Sequence, residues 1–332
     1  MDKIPKYSGW IETVCGPMFS GKTEELINRI TRVKISGKSV AILKPKTDNR
    51  YSEKYIVSHN QRKIKCTIIE DPIDIIKITK DIEEEVGVSM GVGIGGLGCI
   101  EKYNSILKDG GPKRVSPFFI PMTLSNLAPG YISLFFKAKN YTACSVSACT
   151  SSNHAIGTAA RTIERGDAKI VIAGGAESSV TPLGIAGFAS MHALSTRNDD
   201  PKRASRPFDK DRDGFVMGEG SGVLVLEEYE HARKRGANIY AEIIGYGMSG
   251  DAYHITAPEP SGSGALQSMN KALKNSKLNA ADIDYINAHG TSTPLGDLIE
   301  LEAVFKLFDG NIKNLLMSST KSSIGHLLGA AG

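Results

Sequence analysis

The pattern of apolar and polar positions first reads as a strand from Trp10 to Val14. After a turn the spacing becomes helical from about Thr23 to Ile35, and a second strand follows at Ser39 to Leu43. This order predicts a βαβ opening. Much further along, Lys169 to Ala173, Gly222 to Glu227, Asp284 to Asn287 and Leu316 to Ser319 are short apolar runs of strand length. Helical spacing appears over Asn153 to Glu164, ahead of the first of these runs, and over Gly264 to Leu273, between the second and third. Strands alternating with helices predict a layered α/β architecture.

Glycine shows where the pattern changes character. Of 35 glycines, only Gly9, Gly16, Gly21 and Gly37 precede residue 86. That first stretch is rich in Lys and Ile and closes with the acidic run Asp81 to Glu85, after which small-residue sequence starts at once. We place a seam near Val86, dividing the chain into 1–85 and 86–332, with no Pro/Ser tether between them. The 332 residues, 41% hydrophobic and 23% charged, suffice for a sizeable core and exclude a disordered or fibrous chain. Forty basic against 36 acidic residues leave a net charge of +4, scattered along the chain, which argues for neither nucleic-acid nor membrane partners. The five cysteines (Cys15, Cys66, Cys99, Cys144, Cys149) include no C-x-x-C pair, so a disulfide framework or a four-thiolate zinc site is not expected. No signal-type leader and no run of ~18 apolar residues occurs, and the expectation is a cytoplasmic protein with reduced thiols.

Gly16-Pro-Met-Phe-Ser20-Gly21-Lys22-Thr23 fits G-x-x-x-x-G-K-[ST] between a predicted strand and a predicted helix. In such a loop backbone N–H groups point at phosphate oxygens, Lys22 neutralises the terminal phosphates and the Thr23 hydroxyl ligates magnesium. With Gly9 to Glu12, Gly16 to Leu26, Lys44 to Tyr51 and Val57 to His59, the segment from residue 7 to about 80 resembles the start of type II thymidine kinases. The resemblance implies ATP and Mg at Gly16, Ser20, Gly21, Lys22 and Thr23. The base-bearing segment, nucleoside loop and zinc-binding cysteines of those kinases do not follow it, so the phosphate cradle is expected without the kinase chemistry.

Three separated signatures fill the larger part. Ser147-Ala-Cys149 precedes a predicted helix, whose N–H groups and dipole are expected to lower the thiol pKa. Asn287-Ala-His289-Gly-Thr291-Ser-Thr293 and Ser319-Thr-Lys321-Ser-Ser-Ile-Gly-His326 each follow a predicted strand. Taken singly, such a Cys is more often packing and such a His more often structural. Taken together with Gly93 to Gly98, Ser116 to Pro121, Gly174 to Glu177, Ala193 to Asn198, Ser205 to Gly220 and Asp251 to Pro258, they resemble β-ketoacyl-acyl carrier protein synthase II from about residue 86 to 332.

That resemblance implies a thiolase-like layered α/β fold and condensation of an acyl thioester with malonyl-acyl carrier protein, with no cofactor. It makes Cys149 the acyl-accepting nucleophile, has His289 and His326 assist decarboxylation, and has Lys321 support them with Glu300 as its ion partner. It sets Thr291 and Thr293 against the pantetheine arm and Ile94 and Phe188 at the acyl pocket. Acyl carrier protein, met by Lys113 and Arg114, and a second copy in a homodimer are the partners it implies. Thr142-Ala-Cys144 imitates the nucleophile motif, but His154, Ile156 and Gly157 fall into the family's register only from Cys149. The resemblance starts roughly a hundred residues into the family pattern and does not include its closing Phe-Gly-Phe-Gly-Gly-Thr-Asn loop, so an incomplete synthase domain behind a P-loop fragment is expected. The other readings are a thymidine kinase remnant binding ATP-Mg, and an inactive chimera or carrier-protein-binding pseudoenzyme.

Two motif matches carry no site in this reading. Gly91-Val-Gly93-Ile-Gly-Gly96 satisfies G-x-G-x-x-G but has no acidic partner about 20 residues on. Asp209-Lys-Asp211-Arg-Asp213 imitates a calcium loop, but Gly220 stands where its bidentate acid belongs. No metal site is expected.

Overall fold

A computed structural model describes residues 85–332 throughout, preceded by four short strands: Leu43–Pro45 (β1), Tyr55–Val57 (β2), Lys63–Lys65 (β3) and Thr67–Ile69 (β4). Strand β1 pairs in parallel with β4, and β2 antiparallel with β3. The expected strand at Trp10, the helix from Thr23, and Gly16, Ser20, Gly21, Lys22 and Thr23 of the phosphate loop lie outside the described residues.

The main sheet has four strands: Val86–Gly91 (β5), Thr142–Ser145 (β6), Ile170–Glu177 (β7) and Gly220–Glu227 (β8), in the order β6-β5-β7-β8. β5, β6 and β7 run parallel, and β8 is antiparallel to β7. Parallel neighbours need long crossovers. Leu97–Gly110 (α1), Phe119–Thr123 (α2) and Leu127–Phe136 (α3) lie between β5 and β6, and Ser151–Glu164 (α4) joins β6 to β7. Alternate residues of a strand point to opposite sides, so β5 and β7 bury apolar side chains on both faces of the sheet, whereas Val223, Leu224 and Val225 of β8 are exposed. Val88, Met90 and Ala138 cluster on one side with Ile132 and Ile172. Ala159, Ala168, Val171 and Ala173 cluster on the other with Ile156, Ile163 and Leu226. Burying Val88, Met90 and Val171 completely contributes about 1.5–3 kcal/mol each.

A second, two-stranded parallel sheet pairs Tyr285–Asn287 (β9) with Leu316–Ser318 (β10). Pro182–Ser190 (α5) and Tyr229–Lys234 (α6) precede this sheet in the chain; Ser263–Ser276 (α7) packs against Pro294–Leu307 (α8) beside it, and Lys321–Ile324 (α9) follows β10. The apolar runs of the sequence correspond to β7, β8, β9 and β10. Strands β5 (VGVSMG) and β6 (TACS) mix small and polar residues and give no clean alternation.

The first turn of α4 sits directly on β5, the contact that positions the site. The Ser89 hydroxyl donates to the Ala155 carbonyl at 3.0 Å, so the one polar side chain on this strand is satisfied by the helix above it. Gly91 allows the approach, since a Cβ there would lie 2.2 Å from the Ser151 carbonyl carbon. Backbone cannot yield as a flexible side chain can. Gly91→Ala is therefore expected to destabilise the protein by roughly 2–3 kcal/mol; urea unfolding monitored by circular dichroism measures it, and an unchanged midpoint would count against this packing.

Candidate active site

Each chemistry-bearing side chain leaves the carboxyl end of a parallel strand, where α/β sheets place ligand sites. After β6 a single 3-10 turn, Ala148–Thr150, carries Cys149 in front of α4, and Ala148 enters it at φ +51°, a left-handed conformation uncommon outside glycine. The Ser151 hydroxyl donates to the Ala148 carbonyl at 2.7 Å and accepts from the Ser147 N–H at 2.9 Å, which holds the turn closed. His289 lies two residues beyond β9. Lys321 opens α9, and His326 follows that helix.

These loops bring the sulfur and imidazoles together. His326 Nε2 lies 2.9 Å from Cys149 Sγ. Its Nδ1 accepts the Leu328 N–H at 3.3 Å, which assigns the ring proton to Nε2 and makes Nε2–H the donor toward sulfur. The His289 ring stands nearly perpendicular to that of His326, at 89°, with centroids 5.2 Å apart. Ser319 Oγ donates to the Gly290 carbonyl at 2.8 Å and ties the end of β10 to the His289 loop. Phe215 packs edge-on to His326 at 5.1 Å and to Phe188 at 5.3 Å, so Phe188 reaches the cluster through Phe215.

Desolvation dominates the electrostatics. Burial pushes the Cys149 thiol above its ordinary value; the Lys321 charge pulls it back, and the Glu177 charge pushes it further up. The expected lowering at a helix N-terminus is thus reversed, because removal of water from the sulfur outweighs the donors beside it. His326, buried, is driven down to about 3 by desolvation, then by His289 and Lys321. His289 is pushed to about 4 by desolvation and Lys321, although its outer face is open to solvent and water offsets part of that effect. Both rings are neutral at pH 7. Burial lowers Lys321, and the carboxylates of Glu300 and then Asp297 act against that lowering, with Cys149 between them in strength.

Glu300 is not a direct ion partner of Lys321. Its two oxygens accept from the N–H groups of His289 at 2.7 Å and Gly290 at 2.8 Å, so it fixes the His289 loop and reaches Lys321 only through space. Thr291 and Thr293 lie beside that loop with hydroxyls 3.0 Å apart. Ile94 is exposed on the Gly-rich loop after β5, its N–H donating to Glu177. Cys144 sits within β6 opposite Met90, and burial pushes its thiol up as well. Lys113 and Arg114 are exposed on a short turn, Pro112–Arg114.

The two motif matches are used internally. Asp213 accepts from Ser195 Oγ at 2.8 Å, Thr196 N–H at 2.9 Å and Arg206 at 3.0 Å. The Gly-rich loop donates the N–H groups of Gly93, Ile94 and Gly95 to Glu177, a buried carboxylate the motif reading assigned no role. An acid closing the otherwise apolar strand IVIAGGAE was the available signal. By spacing, the donor atoms of Cys149, His289 and His326, all within 4.8 Å of one another, could hold a soft metal ion. The buried Lys321 cation beside them opposes that and favours a developing oxyanion.

Comparison with known proteins places three family models on the chain. Those for the N-terminal and C-terminal domains of beta-ketoacyl synthase match residues 75–232 and 240–332, and that for thymidine kinase matches residues 9–92. The 3-oxoacyl-[acyl-carrier-protein] synthase 2 of Vibrio harveyi is 52% identical over 77% of this chain and 62% of its own length. That of Rhizobium meliloti is 58% identical over 74% of this chain and 58% of its own. The chain thus spans about 60% of the length of the curated relatives it matches. Among solved structures, a type II PKS acyl-carrier protein in complex with its ketosynthase bound to the hexaketide matches with a TM-score of 0.73 at 32% identity, over 75% of this chain and 62% of that one. A beta-ketoacyl synthase from Burkholderia phymatum matches with a TM-score of 0.70 at 39% identity, over 76% and 61%.

The neutral, buried His326 sets a pH dependence. An unfolded imidazole titrates at roughly 6.5, so between there and about 3 the unfolded chain binds a proton that the folded one refuses. Stability falls as pH drops through that window, by about 2 kcal/mol between pH 7 and 5 from His326 alone. Urea midpoints at pH 7 and 5 measure the loss, which should shrink in His326→Asn; an equal loss in that variant would assign it elsewhere.

Proposed function

Since this chain belongs to the β-ketoacyl synthase family, over residues 75–232 and 240–332, and takes its thiolase-like layered α/β fold, we propose that it carries out decarboxylative condensation of thioesters. The observation that carries the reading is the 2.9 Å contact of Cys149 Sγ with the His326 Nε2–H donor, His289 standing beside it. Cys149 attacks an acyl thioester, its sulfur takes the acyl group, and the thiol proton leaves with the carrier's sulfur. Malonyl thioester then loses CO2. The enolate oxygen formed is held by the two imidazole N–H groups, which are neutral donors aimed into a desolvated site. The enolate carbon bonds to the acyl carbonyl carbon, the Cys149–acyl bond breaks, and a proton from solvent restores the thiol. The products are a 3-oxoacyl thioester and CO2. Thr291 and Thr293 hold the pantetheine arm, and Ile94 and Phe188 border the acyl chain. The condensation needs no cofactor, and the protein is cytoplasmic.

Acyl carrier protein is the carrier in this reading, as the relatives' printed names and the carrier-protein complex of the solved neighbour support. Its acidic surface meets Lys113 and Arg114. Phe118 and Leu134 are 64% and 75% exposed, large apolar side chains of the kind a second copy would cover in a homodimer. Acylation is tested by mass spectrometry after incubation with an acyl thioester: an adduct is expected on Cys149, absent in Cys149→Ser. No adduct together with intact carrier-protein binding would make the chain a pseudoenzyme.

A second reading concerns residues 9–92, where the thymidine kinase model matches and Gly16 to Thr23 fits the phosphate loop. With the seam near Val86, the segment 1–85 holds ATP-Mg at Gly16, Ser20, Gly21, Lys22 and Thr23. Magnesium-dependent ATP binding should fall at least tenfold in Lys22→Ala by calorimetry; equal binding in that variant would remove the reading.

A further inference from the structure

Glu177 ends β7 as a buried carboxylate, 4% exposed, with five donors on its two oxygens. The N–H groups of Gly93, Ile94 and Gly95 approach to 2.8, 3.0 and 3.1 Å. The Ser179 hydroxyl and the Gly329 N–H complete the set, each at 3.1 Å. Three successive amides converging on one anion make a nest, a geometry that elsewhere cradles phosphate. Here an internal side chain fills it. Gly329 lies three residues past His326 and adjoins Leu328, whose N–H holds His326 Nδ1. The carboxylate is therefore joined to the imidazole beside Cys149 by a short stretch of clamped backbone, and its negative charge acts on the Cys149 sulfur.

We propose that Glu177 is a positioning residue of the Cys149–His326 pair: it locks the His326 loop to the Gly-rich loop through Gly329 and acts through space on the sulfur. Two effects follow from one side chain. The clamp keeps Nε2–H of His326 aimed at the sulfur, and the charge adds to the burial that holds the thiol above its ordinary pKa. Glycine is required on both sides of the clamp, since a Cβ on Gly329 would stand 2.0 Å from the Gly93 nitrogen and 2.8 Å from Glu177 Oε2.

The proposal rests on the reading of Cys149 as nucleophile, but its test does not depend on turnover. Alkylation of Cys149 by iodoacetamide, a neutral reagent, is followed against pH by peptide mass spectrometry. Glu177→Gln removes the charge, so the midpoint should move to lower pH and the rate at pH 7 should rise roughly threefold to tenfold. Glu177→Asp keeps the charge on a shorter arm and should leave the midpoint within about 0.2 of wild type. An unmoved midpoint in Glu177→Gln overturns the proposal, and so does an equal shift in both variants, the signature of loosened packing alone. Hydrogen exchange on the unaltered protein tests the clamp independently of either variant's folding: the amides of Gly93, Ile94, Gly95 and Gly329 should exchange at least a hundredfold more slowly than free amides and open together. Exchange of these four at the free rate overturns it. Failure of Cys149 to accept an acyl group, with these results intact, would remove the condensing reading and leave the positioning role standing.

Discussion

A buried carboxylate is tolerated only where its oxygens are fully hydrogen-bonded, and in this protein that condition ties the fold together at Glu177. Its donors come from three places in the chain: the loop after β5, the residue Ser179 beyond β7, and Gly329 near the last described residue. Leaving any one of these unmade would cost about 1.5–3 kcal/mol, the worth of a hydrogen bond to a charged group. The segments must therefore arrive together. The Met217–His326 bridge and the contact of Gly93 with Gly329 run through this junction. The Gly-rich stretch after β5 is thus explained by backbone approach rather than by flexibility.

The cluster beside that junction is governed by loss of water more than by pairs of opposite charge. Burial moves each of its titrating groups toward its neutral form, the thiol upward and both imidazoles downward. A His326 that carries its proton on Nε2 at pH 7 does not act as a base toward sulfur; it offers a fixed N–H dipole. Fixed dipoles in a dry pocket stabilise a charge that appears during reaction without reorganising to meet it. Lys321 adds the one buried cation nearby, and Glu300 and Asp297 keep it from being wholly unbalanced. The arrangement suits stabilisation of negative charge that develops on an oxygen beside the sulfur.

Much of this was legible in the sequence, and the failures share a cause. β7 to β10, α4 and α7 follow from apolar runs and helical spacing because each buries a continuous face. β5 is more buried than any of them, yet Val86 to Gly91 hides it, since Ser89 is satisfied by Ala155 and Gly91 gives room to α4. The residues Cys149, His289 and His326 could be named from their positions after strands and from a family resemblance, and the structure brings their atoms together. The expected low thiol pKa and the expected Lys321–Glu300 pair fail differently. A helix N-terminus is visible in a sequence, whereas the desolvation that overrides it depends on what the rest of the chain packs around the sulfur. Glu300 faces Lys321 in charge, but two amides of the His289 loop reach it first.

The two glycine-rich motifs make the same point about function. Gly16 to Thr23 and Gly91 to Gly96 both match glycine-rich motifs of the kind in which successive amides turn toward an anion. The first carries its own cation in Lys22 and a hydroxyl in Thr23, the groups that polyphosphate and magnesium need. The second has neither, and its amides are already occupied by Glu177 from β7. A nest is a geometry that accepts negative charge, and what it binds depends on whether the fold already supplies that charge. In the loop after β5 it does, and the same chemistry that would cradle a phosphate elsewhere becomes a structural clamp beside the reactive sulfur.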